Sequence, residues 1–233
     1  MTERRLPLVF EGASASESTA IIYATGRSPQ GQLPAAAFIL AHGAGAGQHS
    51  TFIVAFARAL ADSGVDVVTF DFPYIVARKR IPDRGPVLEA CYRSAIDLVR
   101  REVSSAGRAL FIGGKSMGGR IATQVAAADA TLPIRGLILL GYPLHPPGRF
   151  EKRRDAHLPA IRRPMLFVQG SRDTFGTPPE LEPVLAKISP APQLHVVSNG
   201  DHSFKLPRRN PEAQAAVYAG IQQAIFEWIR RVA

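Results

Sequence analysis

The chain predicts an α/β domain in which a mostly parallel sheet is covered on both faces by helices. Three observations carry this. Short apolar runs alternate with segments of helical spacing along nearly the whole length. The runs are apolar at almost every position, as in strands buried on two faces. The connections between them are short, which favours adjacent strand–helix–strand units.

The elements follow in order. Residues 8–11 and 20–24 read as an early pair of strands. Residues 36–41 are a buried strand, and 51–63 have helical spacing that stops at Gly64. Residues 65–70 form a strand closing on Asp71-Phe72-Pro73. Residues 86–104 suit a helix with proline in its first turn. The strand 108–112 leads into a small-residue helix at 116–128. Residues 135–140 and 164–169 are further buried strands. The stretch between them, 142–163, is the longest irregular one and is too short for a large lid domain. A helix at 179–188, a strand at 193–197 and a closing helix at 211–232 complete the chain. In such sheets the functional residues sit at the carboxyl ends of the strands.

Composition narrows the class. The 233 residues fit one domain, 1–233, and 46% hydrophobic with 20% charged residues describes an ordinary soluble globule. No apolar run is long enough to cross a membrane, and the first seven residues, Met1 to Pro7, lack the apolar core of a signal peptide. The lone Cys91 cannot pair internally and reads as a buried structural thiol in a helix. The expected location is the cytoplasm, without membrane attachment. The net charge is +9, with basic clusters at Arg78-Lys79-Arg80, Lys152-Arg153-Arg154, Arg162-Arg163 and Arg208-Arg209. No aromatic residues interleave these clusters as in nucleic-acid binders, so no nucleic-acid partner is expected.

The chemistry centres on Gly114-Lys115-Ser116-Met117-Gly118. It lies between a strand and a helix, with serine at the apex of a sharp turn. Glycines on either side allow a strained backbone and close strand–helix approach. Serine needs a base to take its proton and a third group to hold that base. Ser116, Asp173 and His202 occur in that chain order, the last two in loops just past strands. Met117 offers a backbone N–H at a helix N-terminus for a developing oxyanion. The glycine-rich loop His42-Gly43-Ala44-Gly45-Ala46-Gly47 offers a second, from Ala44 or next Gly43. His42, Gly43, Lys115 and Tyr142 are candidate substrate contacts.

Competing readings fall short. Asp201 adjoins His202 too closely to orient its ring, Asp71 breaks the chain order, and Glu180 is a substitute acid. His195 reads as structural, and His49 has no motif. His145 and His157 lie in the irregular stretch and are weaker candidate contacts. A phosphate-binding P-loop would need Gly where Ala109 stands. A dinucleotide fingerprint at 43–48 would need a small residue where Gln48 stands.

The motifs HGAGAG at 42–47, GKSMGG at 114–119, QGSRD ending at Asp173 and GDHSF at 200–204 together resemble an α/β-hydrolase. Within that superfamily the chain is similar to small, nearly lidless dienelactone-hydrolase-like proteins. The run GKSMGGR, with Asp71-Phe72-Pro73 upstream, most resembles the hydrolase-like domain of the testis-expressed and non-specific-lethal complex subunit family. The resemblance implies a central sheet of about eight strands. Ser116 departs from the cysteine nucleophile of dienelactone hydrolases proper. The expectation is a serine hydrolase of small carboxylic esters or thioesters, with no cofactor or metal. The alternative is a non-catalytic interaction module of the same fold that uses its basic surface.

Overall fold

A computed structural model describes residues 1–10, 17–25 and 36–233. Eight strands form one sheet: β1 (Thr2–Val9), β2 (Glu17–Ala24), β3 (Ala36–Ala41), β4 (Val65–Phe70), β5 (Leu110–Lys115), β6 (Gly136–Leu140), β7 (Met165–Gly170) and β8 (Gln193–Val197). Their spatial order is β1-β2-β4-β3-β5-β6-β7-β8. β1 and β2 are antiparallel to their neighbours, and the six strands from β4 to β8 are parallel. Among the described residues the α-helices are α1 (Thr51–Asp62), α2 (Pro73–Val76), α3 (Gly85–Glu102), α4 (Met117–Ala128), α5 (Pro178–Leu185) and α6 (Pro211–Val232).

The continuous apolar strands are buried on both faces, as their composition requires. In β3, Ala37, Ile39 and Ala41 point into a core shared with α3, α4 and α5, where Leu88, Ile121 and Leu181 lie. Ala36, Phe38 and Leu40 point the other way, into a core shared with α1 and α6. There Trp228 packs edge-on against Phe111 at 5.5 Å between ring centroids. Truncating Trp228 to alanine would cost roughly 3–5 kcal/mol.

Differences from the sequence reading are local. β1 begins at Thr2 and ends at Val9, earlier than the apolar run suggested, because its antiparallel register with β2 pairs Thr2 with Ala24. Much of β1 is exposed, so composition could not mark it; Glu11 lies outside the described residues. β5 runs three residues past Ile112, through Gly113 and Gly114 to Lys115, because both glycines pair with β6. The short helix α2 directly follows Asp71-Phe72, in a stretch whose sequence marks no element. In α5, Thr177 and Glu180 form a capping box that holds the first turn despite Pro183 farther along.

The chain reverses its direction of strand addition at β3, passing to β4 on one side and to β5 on the other. A crevice opens at the carboxyl ends of strands at such a switch point. The loops after β3, β5, β7 and β8 all leave from that end.

Candidate active site

Ser116 sits between the end of β5 and the first turn of α4, with φ 50° and ψ −113°. Non-glycine residues rarely hold such a conformation, so the turn stores strain. Its neighbours tolerate the tight packing only as glycines. A Cβ on Gly114 would stand 2.2 Å from the Ala41 carbonyl oxygen, and one on Gly118 2.6 Å from the same atom. The helix can therefore approach β3 closely enough to hold the serine at the crevice.

Three side chains meet there. Ser116 Oγ lies 2.8 Å from His202 Nε2, and His202 Nδ1 lies 2.8 Å from Asp173 Oδ2. Asp173 is fully buried, and its other oxygen accepts the Phe175 N–H at 2.8 Å. With the Nδ1 hydrogen directed at the carboxylate, Nε2 is free to accept the serine proton. The Phe175 ring stacks on the imidazole, with centroids 4.1 Å apart, and fixes its plane.

The glycine loop after β3 borders the same crevice. The carbonyls of Gly43 and Ala44 turn back toward Tyr74, whose hydroxyl donates to Ala44 O at 2.9 Å and reaches Gly43 O at 3.4 Å. The Ala44 N–H makes no hydrogen bond with a described residue. Met117 N–H belongs to the unpaired first turn of α4. Ala44, Gly43, Met117, Lys115, Ser116 and His202 all line one cleft of about 980 Å³. Phe52, Leu88, Phe175 and Tyr218 supply apolar walls.

Two expected substrate contacts are corrected. His42 is fully buried and absent from the cleft wall. Its Nδ1–H donates to Gly43 O at 2.7 Å, and its Nε2 accepts the Phe72 N–H at 3.1 Å. Burial pushes its pKa down, outweighing the hydrogen bond to Gly43 and Asp71 3.6 Å away, so it is a neutral strut between the β3 and β4 loops. Tyr142 is also buried, and its hydroxyl donates to the Arg154 carbonyl at 2.6 Å. It anchors a loop instead of facing substrate. Lys115 does reach the cleft, but as a nearly buried ammonium with no hydrogen-bond partner among the described residues.

The competing acids have other work. Asp71 accepts the Gln48 N–H at 2.7 Å and, with His49, borders a separate groove of about 370 Å³. Asp201 accepts the N–H groups of Ser203 and Lys205 and forms the turn beside His202. Glu180 caps α5 and meets His145 at 3.1 Å. His157 meets the Thr123 hydroxyl at 2.8 Å, and neither it nor His145 lines the cleft. His195 lies on the edge strand β8.

Two contributors escaped the sequence reading. Gln169, fully buried at the end of β7, donates to Asp173 Oδ2 at 2.8 Å and to Gly176 O at 2.6 Å, and accepts the Tyr142 N–H at 2.8 Å. It stands four residues before Asp173 at the end of an apolar strand, which is the one signal for it. Phe175 carried no signal, because stacking on His202 depends on a loop conformation. Among the described residues, no group of three or more His, Cys, Asp or Glu gathers as a metal site. No helix among them is long and apolar enough to cross a membrane.

Residues 34–230 match the family described as "Alpha/beta hydrolase domain", and the chain belongs to that family. Solved structures agree on the fold. An α/β serine hydrolase without lid from Xanthomonas campestris is 21% identical, with TM-score 0.68, covering 95% of this chain and 94% of its own. A dienelactone hydrolase from Anabaena variabilis is 16% identical, with TM-score 0.74, covering 99% and 98%. An α/β serine hydrolase homologue from Coxiella burnetii is 19% identical, with TM-score 0.72, covering 100% and 99%.

Proposed function

We propose that the protein is a serine hydrolase that cleaves a carboxylic ester or thioester through an acyl-enzyme intermediate. The observation that carries this reading is the unbroken chain Ser116–His202–Asp173, with both links at 2.8 Å, opening onto a cleft. His202 Nε2 takes the Ser116 proton as Oγ attacks the substrate carbonyl carbon. Asp173 holds the ring and stabilises the imidazolium. The Met117 and Ala44 N–H groups receive the tetrahedral oxyanion, each donor worth roughly 3–4 kcal/mol. Collapse breaks the bond to the leaving alcohol or thiol, which takes the proton from His202. Water then repeats the sequence on the acyl-enzyme, releasing the acid and restoring Ser116.

The cleft's apolar walls support small to medium acyl groups. The motif GKSMGGR at 114–120 supports placing the chain near the testis-expressed and non-specific-lethal complex subunit domains, and the cytoplasm is the location this reading carries. The assembled relay argues against a purely non-catalytic module.

Wild type and Ser116→Ala should be treated with a fluorophosphonate probe and assayed on short p-nitrophenyl esters. Labelling and turnover confined to wild type is the expected result. An unlabelled, inactive wild type would sink the hydrolase reading.

A further inference from the structure

The charged lining of the cleft is one-sided. Among the described residues, Lys115, Arg120, Arg154 and Lys205 border it, against Asp83 alone. Asp83 lies 4.0 Å from Lys79 through one oxygen, and its other oxygen is buried with no hydrogen-bond partner among the described residues.

Two of the cations are placed for a ligand. Arg120 stands on α4 one turn past Ser116, its N–H donating to Ser116 O at 3.0 Å. Among the described residues its guanidinium gives one hydrogen bond, from Nη1 to Gln124 Oε1 at 3.0 Å, while Nε is buried with no hydrogen-bond partner. Arg154 comes to the same cleft from the loop before β7. Its N–H donates to Leu144 O at 2.9 Å, and its carbonyl accepts the buried Tyr142 hydroxyl at 2.6 Å. Tyr142 thus fixes the backbone from which Arg154 reaches out. Among the described residues, the Arg154 guanidinium has neither a hydrogen bond nor an ion pair.

Nearby carboxylates are otherwise engaged. Asp155 holds Arg153 at 2.6 Å, and Glu180 caps α5. Glu89 attracts Arg120 without forming an ion pair. After burial, Arg154 is the main influence lowering the Arg120 pKa, so the two cations that border the cleft repel each other. Such an arrangement costs stability unless an anion joins it. The planar guanidinium fork fits a carboxylate better than any other common anion-binding side chain does.

We propose that Arg120 and Arg154 form a carboxylate subsite, so that the preferred substrate is a dicarboxylic half-ester whose free carboxylate lies on the acyl side. This rests on the hydrolase reading of Ser116. The acyl part stays with Ser116 through both chemical steps, so a subsite beside the serine acts in each.

The test measures binding without turnover. Calorimetry on Ser116→Ala protein compares monoethyl glutarate with ethyl pentanoate, an uncharged ester of the same acyl length. The half-ester should bind on the order of tenfold tighter or more, and added salt should shrink the difference. Adding Arg154→Met or Arg120→Met should abolish the preference. If Arg120→Met does not fold, Arg154→Met decides, because that side chain lies on a loop. Equal binding of the two esters, or a preference that survives Arg154→Met, would overturn the subsite. A wild type that leaves both esters intact while Ser116→Ala still prefers the half-ester would sink the hydrolase reading and support the subsite.

Discussion

Gln169 and His202 meet the same oxygen of Asp173: the carboxamide Nε2 and the imidazole Nδ1 each lie 2.8 Å from Oδ2. Gln169 also pairs with the Tyr142 N–H and the Gly176 carbonyl, so it ties the loop after β6 and the far side of the Asp173 loop to the acid. Gln169→Leu removes the donor and leaves those buried groups unpaired, at about 1–3 kcal/mol each. Thermal and urea unfolding should show the loss. Turnover should fall on the order of tenfold in kcat, with KM within about threefold, because the ring loses its orientation and substrate contacts stay. A variant with wild-type kcat would show that Asp173 needs no second holder.

The catalytic candidates were legible because each leaves a local mark. Ser116 sits between glycines at a strand–helix junction, and Asp173 and His202 follow apolar strands in the required order. The parallel strands were legible for a similar reason, since burial on both faces makes them apolar throughout. What stayed hidden depends on pairing across the chain. β1 is mostly exposed and owes its length to its register with β2. His42 opens the glycine-rich loop after β3, yet its ring turns inward to bond the Phe72 N–H. Tyr142 begins an irregular stretch, and only the folded loop shows its hydroxyl bound to Arg154. Sequence position could not separate a side chain facing the cleft from one bracing its wall.

Ser116 holds φ 50° and ψ −113°, a conformation glycine adopts far more easily. Ser116→Ala keeps a Cβ in the strained turn, whereas Ser116→Gly removes it. Both should lose turnover by at least about 10⁴-fold. Ser116→Gly should be more stable than Ser116→Ala by about 1 kcal/mol, despite glycine's greater unfolded-state entropy. Chemical denaturation of the pair checks this. Equal midpoints would mean that the turn carries no strain.

Gly118 and Gly45 both border the site but differ in surroundings. A Cβ on Gly118 would stand 2.6 Å from Ala41 O and 2.7 Å from His42 O, both backbone atoms, whereas one on Gly45 would meet nothing within 4 Å. Gly118→Ala must push α4 off β3, costing about 3 kcal/mol or more and displacing Ser116. Gly45→Ala should change stability by less than about 0.5 kcal/mol. Melting temperatures of the two variants decide it. A wild-type melt for Gly118→Ala would contradict the close approach.

Lys115 places its ammonium near the Phe204 ring, 5.6 Å from the centroid, with no hydrogen-bond partner among the described residues. Burial lowers its pKa to about 8, against the opposing pull of Asp173 and Asp201. The unfolded chain holds that proton up to an ordinary lysine value near 10.5. Between about 8 and 10.5 the unfolded state therefore binds more protons, and stability rises with pH. Below about 8 the folded protein carries the whole cost of the buried charge, on the order of 3 kcal/mol. Lys115→Met keeps the length of the side chain and removes the charge. At pH 7 it should be more stable than wild type by roughly that amount, and the gap should close as pH passes from 8 to 10.5. Its turnover should fall if the lysine is kept for the chemistry of the cleft, as stabilising changes at active sites often cost activity. Denaturation curves of both proteins across this range test the assignment. A constant gap would mean that Lys115 keeps its ordinary pKa in the fold.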